Sequence, residues 1–269
     1  MNALSPRSIV ASVLLGSRPP RLPGRLLVAF AEQFGIRPGT TRTALSRMVQ
    51  RGELQRNPDG SYELRGPMLE RHRHQESVLA PYRQRWDQRW EIRVVPSGAR
   101  AAGERSEMRQ HCSRLGLWER RDGIWLRPAN LDPDRLPDIR AVVDARSDLF
   151  FGEPDGDPRA LLHELVDLDG WATRSRQVMA ELDEMGAGFT EHRDLVNGFE
   201  LAVSALRQVL TDPLLPPELM PAEWPAGALR RAYDQYLSAF QAGLRAFFRT
   251  ERERSLARSA AAPGPTVTA

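Results

Sequence analysis

The chain has 269 residues, 41% of them hydrophobic, and this length and composition predict two or three domains with packed cores. Its one cysteine, Cys112, excludes an intrachain disulfide and disfavours a cysteine-based metal site, and no apolar run approaches the ~20 residues that a membrane-spanning helix needs. The formal charge is +3, all the basic residues are arginine, and the lack of a clean signal peptide predicts a cytoplasmic protein with no membrane partner.

The charge is unevenly distributed along the chain. Residues 1–66 hold ten arginines against four acidic residues, a balance of +6, whereas residues 67–269 hold 28 arginines against 31 acidic residues, a balance of −3. A small basic module on a slightly acidic body is typical of a nucleic-acid-binding domain joined to a regulatory or dimerising body. On charge alone, chance clustering on a solvated face remains the alternative.

The N-terminal segment predicts two helices joined by a loop. Ser5 as an N-cap and Pro6 in the first turn predict a helix that ends at Gly16. Three prolines predict a loop over 17–24, and apolar residues at helical spacing predict a second helix over 25–34.

The segment that follows predicts the turn and second helix of a helix-turn-helix, with the helix over 39–51. Its inner positions recur at helical spacing and suit a small core: Thr41, Ala44, Leu45, Met48 and Val49. Its outer positions carry donors that suit phosphates and base edges: Thr40, Arg42, Thr43, Ser46, Arg47 and Gln50. We expect Arg42 and Arg47 to make the strongest contacts with duplex DNA, supported by Thr41, Thr43 and Ser46.

A short β-hairpin is predicted directly after this helix. Leu54 precedes the turn signal of residues 57–60, and Tyr62 and Leu64 then alternate as in a strand. A hairpin after a recognition helix is the layout of a winged helix, so residues 1–66 are predicted to form a winged-helix DNA-binding domain. Arg56 and Asn57, at the tip, are further candidate DNA contacts.

The pattern then predicts a connector helix over 67–88 and a mixed domain over 89–169. His72 and His74 are spaced i, i+2 and point to different helix faces, which favours solvated side chains over a metal site. The predicted strands are 90–95, 117–118, 123–128, 138–143 and 148–151, and the predicted helices are 101–115 and 158–168. This order suggests a ferredoxin-like α+β domain.

The remainder of the chain predicts a C-terminal α-helical domain over 170–250. Its predicted helices are 171–185, 190–210 and 228–249, with a proline-rich loop over 211–225. Residues 251–269 are charged and then rich in Ala, Pro and Thr, which predicts a disordered tail.

The chain resembles the PaaX family of bacterial transcriptional regulators over nearly its whole length. The matching segments follow the order of the family: Ser5–Val10, Phe34–Ile36, Arg42–Arg47, Trp86–Trp90, Gly123–Asn130, Asp167–Asp169, Asp212–Leu219 and Trp224–Pro225. The resemblance implies an α+β protein with an N-terminal winged helix-turn-helix, a middle ferredoxin-like domain and a C-terminal α-helical domain. One departure is Glu53, where relatives usually carry an aromatic residue.

The resemblance also implies a function. Members repress aromatic-catabolism operons, such as that for phenylacetic acid, as homodimers on operator DNA, and an aryl acyl-CoA effector such as phenylacetyl-CoA releases them. We therefore expect no cofactor apart from an acyl-CoA effector ligand. Such a pocket is expected between the middle and C-terminal domains. Its candidate walls are Trp118, Trp125, Trp171 and Trp224, with Arg120 and Arg127 for the CoA phosphates; core packing of each tryptophan is the alternative.

Two other functions remain open from the residues alone. One is a metal-dependent nuclease built on the ferredoxin-like domain, but its first strand ends in Val94-Val-Pro-Ser97 without the carboxylates that would hold a divalent metal. The other is a structural dimer that does not bind DNA, against which the basic balance of residues 1–66 argues. The chain has no P-loop, GxGxxG, GxSxG or HExxH motif, so we predict that it is not an enzyme.

Overall fold

The computed structural model describes residues 5–17, 19–79, 85–96, 102–186, 189 and 192–260. Within these residues the chain is a mixed α+β protein with ten α-helices and two antiparallel sheets. It divides into two compact units, the first of residues 1–72, 181–205 and 231–269 and the second of residues 73–180 and 206–230. Each unit combines segments that are distant in sequence, which the contiguous predicted domains do not capture. The predicted domain boundaries stay a prediction.

The first unit begins with three helices and a small three-stranded sheet. The elements are α1 (Pro6–Leu15), β1 (Arg21–Pro23), α2 (Gly24–Glu32), α3 (Pro38–Gln50), β2 (Leu54–Arg56) and β3 (Ser61–Leu64). The Ser5 hydroxyl caps α1, because its Oγ accepts a hydrogen bond from the Ser8 backbone N–H at 3.1 Å. Proline at the first turn also begins α3, where its fixed φ suits the helix.

The sheet order is β1-β3-β2, which confirms the predicted hairpin and corrects the predicted loop over 17–24. Residues 21–23 form the strand β1, paired antiparallel with β3 from Arg21 opposite Glu63 to Pro23 opposite Ser61. Loop prediction from prolines fails here because β1 is an edge strand, where a missing backbone donor costs no ladder hydrogen bond.

The connector helix α4 (Gly66–Leu79) is shorter than the predicted 67–88. Residues 80–84 lie outside the described residues, and residues 85–88 are not helical. The predicted solvated histidines are also corrected. His72 is buried at 8% exposure, and burial, followed by the charges of Arg135 and Arg114, lowers the pKa of His74 to about 4.

The second unit contains a four-stranded antiparallel sheet in the order β5-β6-β4-β7. Its elements are β4 (Trp90–Val94), α5 (Ala102–Arg114), β5 (Trp118–Arg121), β6 (Ile124–Pro128), α6 (Pro137–Asp144), β7 (Asp148–Gly152) and α7 (Pro158–Leu165). The predicted strand over 138–143 is wrong, since these residues belong to α6. Ile139 and Val143 fit both an alternating pattern and one helix face, so the local sequence does not decide between them, and both are buried on the helix.

The sheet has a hydrophobic cluster on each face. One cluster joins Trp125 of β6 to Cys112 on α5 and Val143 on α6. The other joins Trp90 and Leu126 of the sheet to Leu162 on α7. Alternate residues of each strand point to opposite faces, which explains why adjacent Trp125 and Leu126 enter different clusters.

The long helices are α8 (Leu168–Met185), α9 (His192–Leu210) and α10 (Ala226–Ala260). A short 3-10 helix over Pro217–Leu219 lies in the proline-rich loop. The helix α10 continues past the predicted end at 249, so residues 251–260 are helical rather than disordered, and residues 261–269 lie outside the described residues. In the first unit, α9 and α10 pack on α2 through aromatic rings, with the Phe30 centroid 5.4 Å from that of Phe199 and 6.3 Å from that of Phe247.

Candidate nucleic-acid interface

The helix α3 has one buried and one exposed face. Leu45 and Met48 are at most 2% exposed and hold the helix on the core, as the sequence predicts. The other predicted contacts on the helix are exposed: Arg42, Thr43, Ser46, Arg47 and Gln50. Thr41 is the exception, since it is 0% exposed and its hydroxyl lies in the core. A DNA contact by Thr41 is therefore corrected to a core position.

Two surface cavities contain residues from different sides of α3, and both are rich in arginine. The first has a volume of about 530 Å³ and includes Arg25, Arg42 and Arg56 together with Ser46 and Tyr62. The second has a volume of about 820 Å³ and includes Arg37, Arg47 and Arg51 together with Thr40 and Thr43. Arginine is suited to bidentate contact with phosphate and with guanine. Both expected arginines, Arg42 and Arg47, thus belong to concave basic surfaces.

Sequence reasoning missed four arginines of these cavities, Arg7 in the first turn of α1 and three others. Arg25 lies in the first turn of α2, Arg37 immediately precedes α3, and Arg51 immediately follows it. The available signal was their position at helix ends, because residues at the ends of packed helices converge when the helices cross. Arg37 and Arg51 are exposed, and both line the cavity that contains Arg47.

Two exposed hydroxyls of α3 have partners inside the helix. Thr43 Oγ1 donates to the Gly39 carbonyl at 3.0 Å, and Ser46 Oγ donates to the Arg42 carbonyl at 3.1 Å. Each oxygen still presents lone pairs to the surface, but a donor contact with DNA requires rotation of the hydroxyl. Among the described residues, the side chains of Arg42 and Arg47 donate to no group of the protein, so DNA has no internal acceptor to displace.

At the hairpin, Arg56 has a side chain that is accessible to DNA, whereas the Asn57 side chain is held within the turn. Arg56 is exposed and lines the first cavity. The Asn57 amide is half-buried and donates to Ser61 Oγ at 3.1 Å and to Glu63 Oε2 at 3.3 Å, so it holds the turn together. In the same turn, hydrogen bonds from Ser61, aided by Arg21, lower the pKa of Asp59 to about 2. The Asp59 carboxylate is therefore ionised at neutral pH, and it pairs with Arg21 at 2.6 Å.

A bidentate ion pair joins α1 to the segment that follows α3. Arg7 donates from Nε to Glu53 Oε2 at 3.0 Å and from Nη2 to Glu53 Oε1 at 2.9 Å. The hydrogen bonds to Glu53 raise the pKa of Arg7 above its ordinary value. Although Arg7 lines the second cavity, its guanidinium is committed to this pair, and Glu53 is buried.

In the second unit, the predicted effector residues do not form one site. Trp118 packs against the hydrophobic cluster that contains Leu126, whereas Trp125 belongs to the cluster on the opposite face of the sheet. Trp171 and Trp224 stack with ring centroids 4.6 Å apart and an interplanar angle of 20°. The buried Trp171 donates from Nε1 to Thr211 Oγ1 at 3.1 Å.

The two arginines proposed for the CoA phosphates have partners within the protein. Arg127 is 2% exposed and donates to the carbonyls of Gly116 at 3.2 Å and Pro128 at 3.1 Å and to Asn130 Oδ1 at 3.1 Å. Its role is thus corrected from an accessible phosphate ligand to a buried donor. Arg120 is at the surface and pairs with Glu164.

A cavity of about 560 Å³ in the second unit includes one of the predicted tryptophans, Trp125. Two arginines of α5, Arg105 and Arg109, also line it, and Arg109 pairs with Glu119 at 3.0 Å. Glu119 and Asp122 balance the two arginines, and among the candidate effector residues that the structure describes, Trp125 is the one that lines this cavity.

Comparison with known proteins identifies the family of the chain. A family model described as PaaX-like protein matches residues 5–66, and one described as PaaX-like protein C-terminal domain matches residues 168–250. The chain belongs to the PaaX-like family. The first match contains α1 to β3, and the second contains α8, α9 and most of α10.

This PaaX-like chain is also similar to a solved structure, that of the uncharacterized protein Rv0674 from Mycobacterium tuberculosis. The two share 34% sequence identity with a TM-score of 0.69, and the similarity covers 90% of this chain and 98% of the other. No curated protein matches the chain.

The described part of this PaaX-like protein offers no group of three or more His, Cys, Asp or Glu side chains that could hold a metal ion. The strand β4 ends at Val94, followed by Val95 and Pro96, so the position where a nuclease of this topology needs a carboxylate carries none up to residue 96. Of the described helices, none combines the length and apolar character needed to cross a membrane.

The buried position of Arg127 leads to a stability prediction. Arg127→Met would leave the carbonyls of Gly116 and Pro128 without their donor, and we expect the free energy of unfolding to fall by about 3 kcal/mol. Arg120→Met is the matched control, and because its ion pair is solvent-exposed the loss should stay below about 1 kcal/mol. Urea denaturation followed by tryptophan fluorescence measures both; equal stability of the two variants would contradict the role given to Arg127.

Proposed function

We propose that this protein is a DNA-binding transcriptional regulator that represses an aromatic or phenylacetate-type catabolic operon and is released by an aryl acyl-CoA effector. Membership of the PaaX-like family indicates a transcriptional regulator rather than an enzyme. The observation that carries the DNA-binding proposal is the exposed face of α3, which joins two arginine-lined cavities in the basic N-terminal segment. A cytoplasmic location is part of the same proposal.

The order of the N-terminal elements supports a winged helix-turn-helix. Two helices precede α3, and the β2–β3 hairpin follows it directly. In this arrangement α3 is the recognition helix, its N-terminal half enters the major groove, and the hairpin is the wing against the DNA backbone. We assign base contacts to Arg42 and Arg47, supporting contacts to Thr43, Ser46 and Gln50, and a backbone contact to Arg56.

The middle part of the chain supports a ferredoxin-like domain. The elements β4, α5, β5, β6, α6 and β7 follow one another in a βαββαβ order, and the sheet has the two crossovers expected of a split βαβ arrangement. Such a domain gives the regulator a rigid body with a sheet edge at β7.

The edge strand β7 supports the proposed homodimer. Leu149, Phe150 and Phe151 are consecutive and 42%, 55% and 51% exposed, and β7 pairs on one side only, with β4. An unprotected apolar edge invites pairing with another strand. Antiparallel pairing of β7 with β7 of a second copy is self-complementary, as a twofold interface requires, and would place Phe150 opposite its equivalent.

The acyl-CoA effector is supported by the family alone, because the tryptophans nominated for it lie on different faces of the sheet. The Trp125 cavity combines an aromatic ring with two arginines, Arg105 and Arg109, and with two carboxylates, Glu119 and Asp122. Its aromatic and arginine side chains are the groups that an aryl ring and phosphates would contact. We assign the effector to this cavity as part of the proposal.

The test of DNA recognition is a comparison of arginine variants on operator and random duplexes. We expect Arg42→Ala and Arg47→Ala each to reduce discrimination between the two duplexes by about 1–3 kcal/mol, since each removes a bidentate base contact. Arg176→Ala, an exposed arginine of α8, is the control with the same loss of charge. Gel-shift titrations that give the same sequence preference for all four proteins would refute the assignment.

The dimer proposal predicts that a substitution on β7 shifts the protein from dimer to monomer. Phe150→Arg places two like charges opposite each other across the twofold axis. We therefore expect the dissociation constant of the dimer to rise at least tenfold. Glu153→Arg, just beyond the strand, is the control. Sedimentation equilibrium measures the dissociation constant, and a wild-type monomer or an unchanged Phe150→Arg dimer would exclude this interface.

Effector binding is tested by thermal shift against a panel of acyl-CoA esters. An aryl-CoA that binds the folded protein should raise its melting temperature, because a ligand specific to the native state stabilises it by mass action. Arg105→Ala should reduce this shift, whereas Arg121→Ala, which lies outside the cavity, should not. The effector proposal fails if no aryl-CoA raises the melting temperature.

A further inference from the structure

The C-terminal part of α10 reaches the surface that carries Arg42. Phe247 and Phe248 of α10 contact Phe30 of α2, with ring centroids 6.3 Å and 6.4 Å apart. One helical turn beyond Phe247, Glu251 lines the cavity that also contains Arg42. Residues 247, 248 and 251 share one helix face, so the contacts that anchor α10 on α2 also direct Glu251 toward this cavity.

Glu251 brings a negative charge to a mainly basic surface. The cavity is lined by the arginines Arg25, Arg42 and Arg56 and by two carboxylates, Glu32 and Glu251. The Glu251 side chain is 18% exposed, and a charge with limited access to water is screened less.

Glu251 also determines the position of a further arginine. Arg254 Nη1 donates to Glu251 Oε1 at 2.8 Å, and the Arg254 side chain is 66% exposed. The pair spans one helical turn, so Arg254 is held on the same side of α10 as Glu251. The guanidinium end of the pair is exposed, so Arg254 can exchange the carboxylate for a phosphate at little cost.

We propose that the Glu251–Arg254 pair is part of the DNA interface, with Glu251 opposing the approach of phosphate and Arg254 contacting it. This inference rests on the proposed function, because it requires DNA at the surface of α3. Glu251 then limits the affinity for any duplex, and Arg254 adds a phosphate contact from outside the winged helix. The footprint on DNA includes the end of a helix that the sequence places almost 200 residues after α3.

The test compares two glutamates of α10 that differ in position only. Glu251→Gln removes the charge from the cavity and releases Arg254, so we expect binding of a random-sequence duplex to tighten by about two- to tenfold. Glu253→Gln removes the same charge two residues away, from an exposed position that does not line the cavity, and should leave the affinity unchanged within about twofold. Fluorescence anisotropy with the full-length protein measures both.

Arg254→Ala tests the second part of the proposal, the phosphate contact. This substitution should weaken the binding of duplex DNA. It should also reduce the slope of a plot of log binding constant against log salt concentration by roughly one, the value for one lost phosphate contact. Arg252→Ala, an exposed arginine two residues earlier, is its control. Melting temperatures of all variants should stay at the wild-type value, since Arg252, Glu253 and Arg254 are exposed and Glu251→Gln keeps the size of the side chain.

The outcomes separate this inference from the proposed function. If wild-type protein does not bind duplex DNA in a salt-dependent manner, the proposed function itself fails. If wild-type protein binds and Arg42→Ala weakens it, but Glu251→Gln and Glu253→Gln behave alike, only the role of Glu251 is overturned. If Arg254→Ala and Arg252→Ala change the salt slope equally, the phosphate contact of Arg254 is overturned.

Discussion

The packing around Phe30 is the constraint on which the arrangement of the first unit depends. Its ring contacts Phe34 and Phe199 at 5.4 Å and the rings of Phe247 and Phe248 at slightly greater distance. Aromatic pairs in edge-to-face geometry add to the energy of burial and fix relative orientation. The ring therefore joins α2 to α9 and α10, and it brings the part of α10 around Glu251 beside the helix that carries Arg42.

The basic surface follows from the same packing. Burial of Leu45 and Met48 fixes the rotation of α3, and that rotation exposes Arg42 and Arg47. Since α2 and α3 lie against one another, arginines at their ends converge with those on the helix face. The Arg7–Glu53 pair contributes in another way, because it ties α1 to the start of the hairpin by two hydrogen bonds. The carboxylates of Glu32, Glu53 and Glu251 thus reduce the net positive charge of the surface around α3.

The predictions that failed have a common physical origin. The residues of α6 satisfy both strand and helix periodicity. Their packing against the sheet, through Ile139 and Val143, decides between the two. The proline-rich segment before α2 becomes a strand because β3 offers it an edge. Arg127 is a residue type that binds phosphate, but its guanidinium donates to the carbonyls of Gly116 and Leu214 and is buried. Each outcome depends on partners distant in sequence, which no local pattern contains.

The sequence by itself determined the helix α3, the hairpin behind it, the exposed positions of α3 and the membership of a family, because helical spacing and turn residues are local properties and the motifs can be read along the chain. The tertiary structure alone decided that Thr41 is buried, that the nominated tryptophans separate onto two faces of a sheet, and that α10 extends to the cavity of Arg42. Burial and convergence are properties of packed elements, and they arise only when segments remote in the chain exclude water from one another.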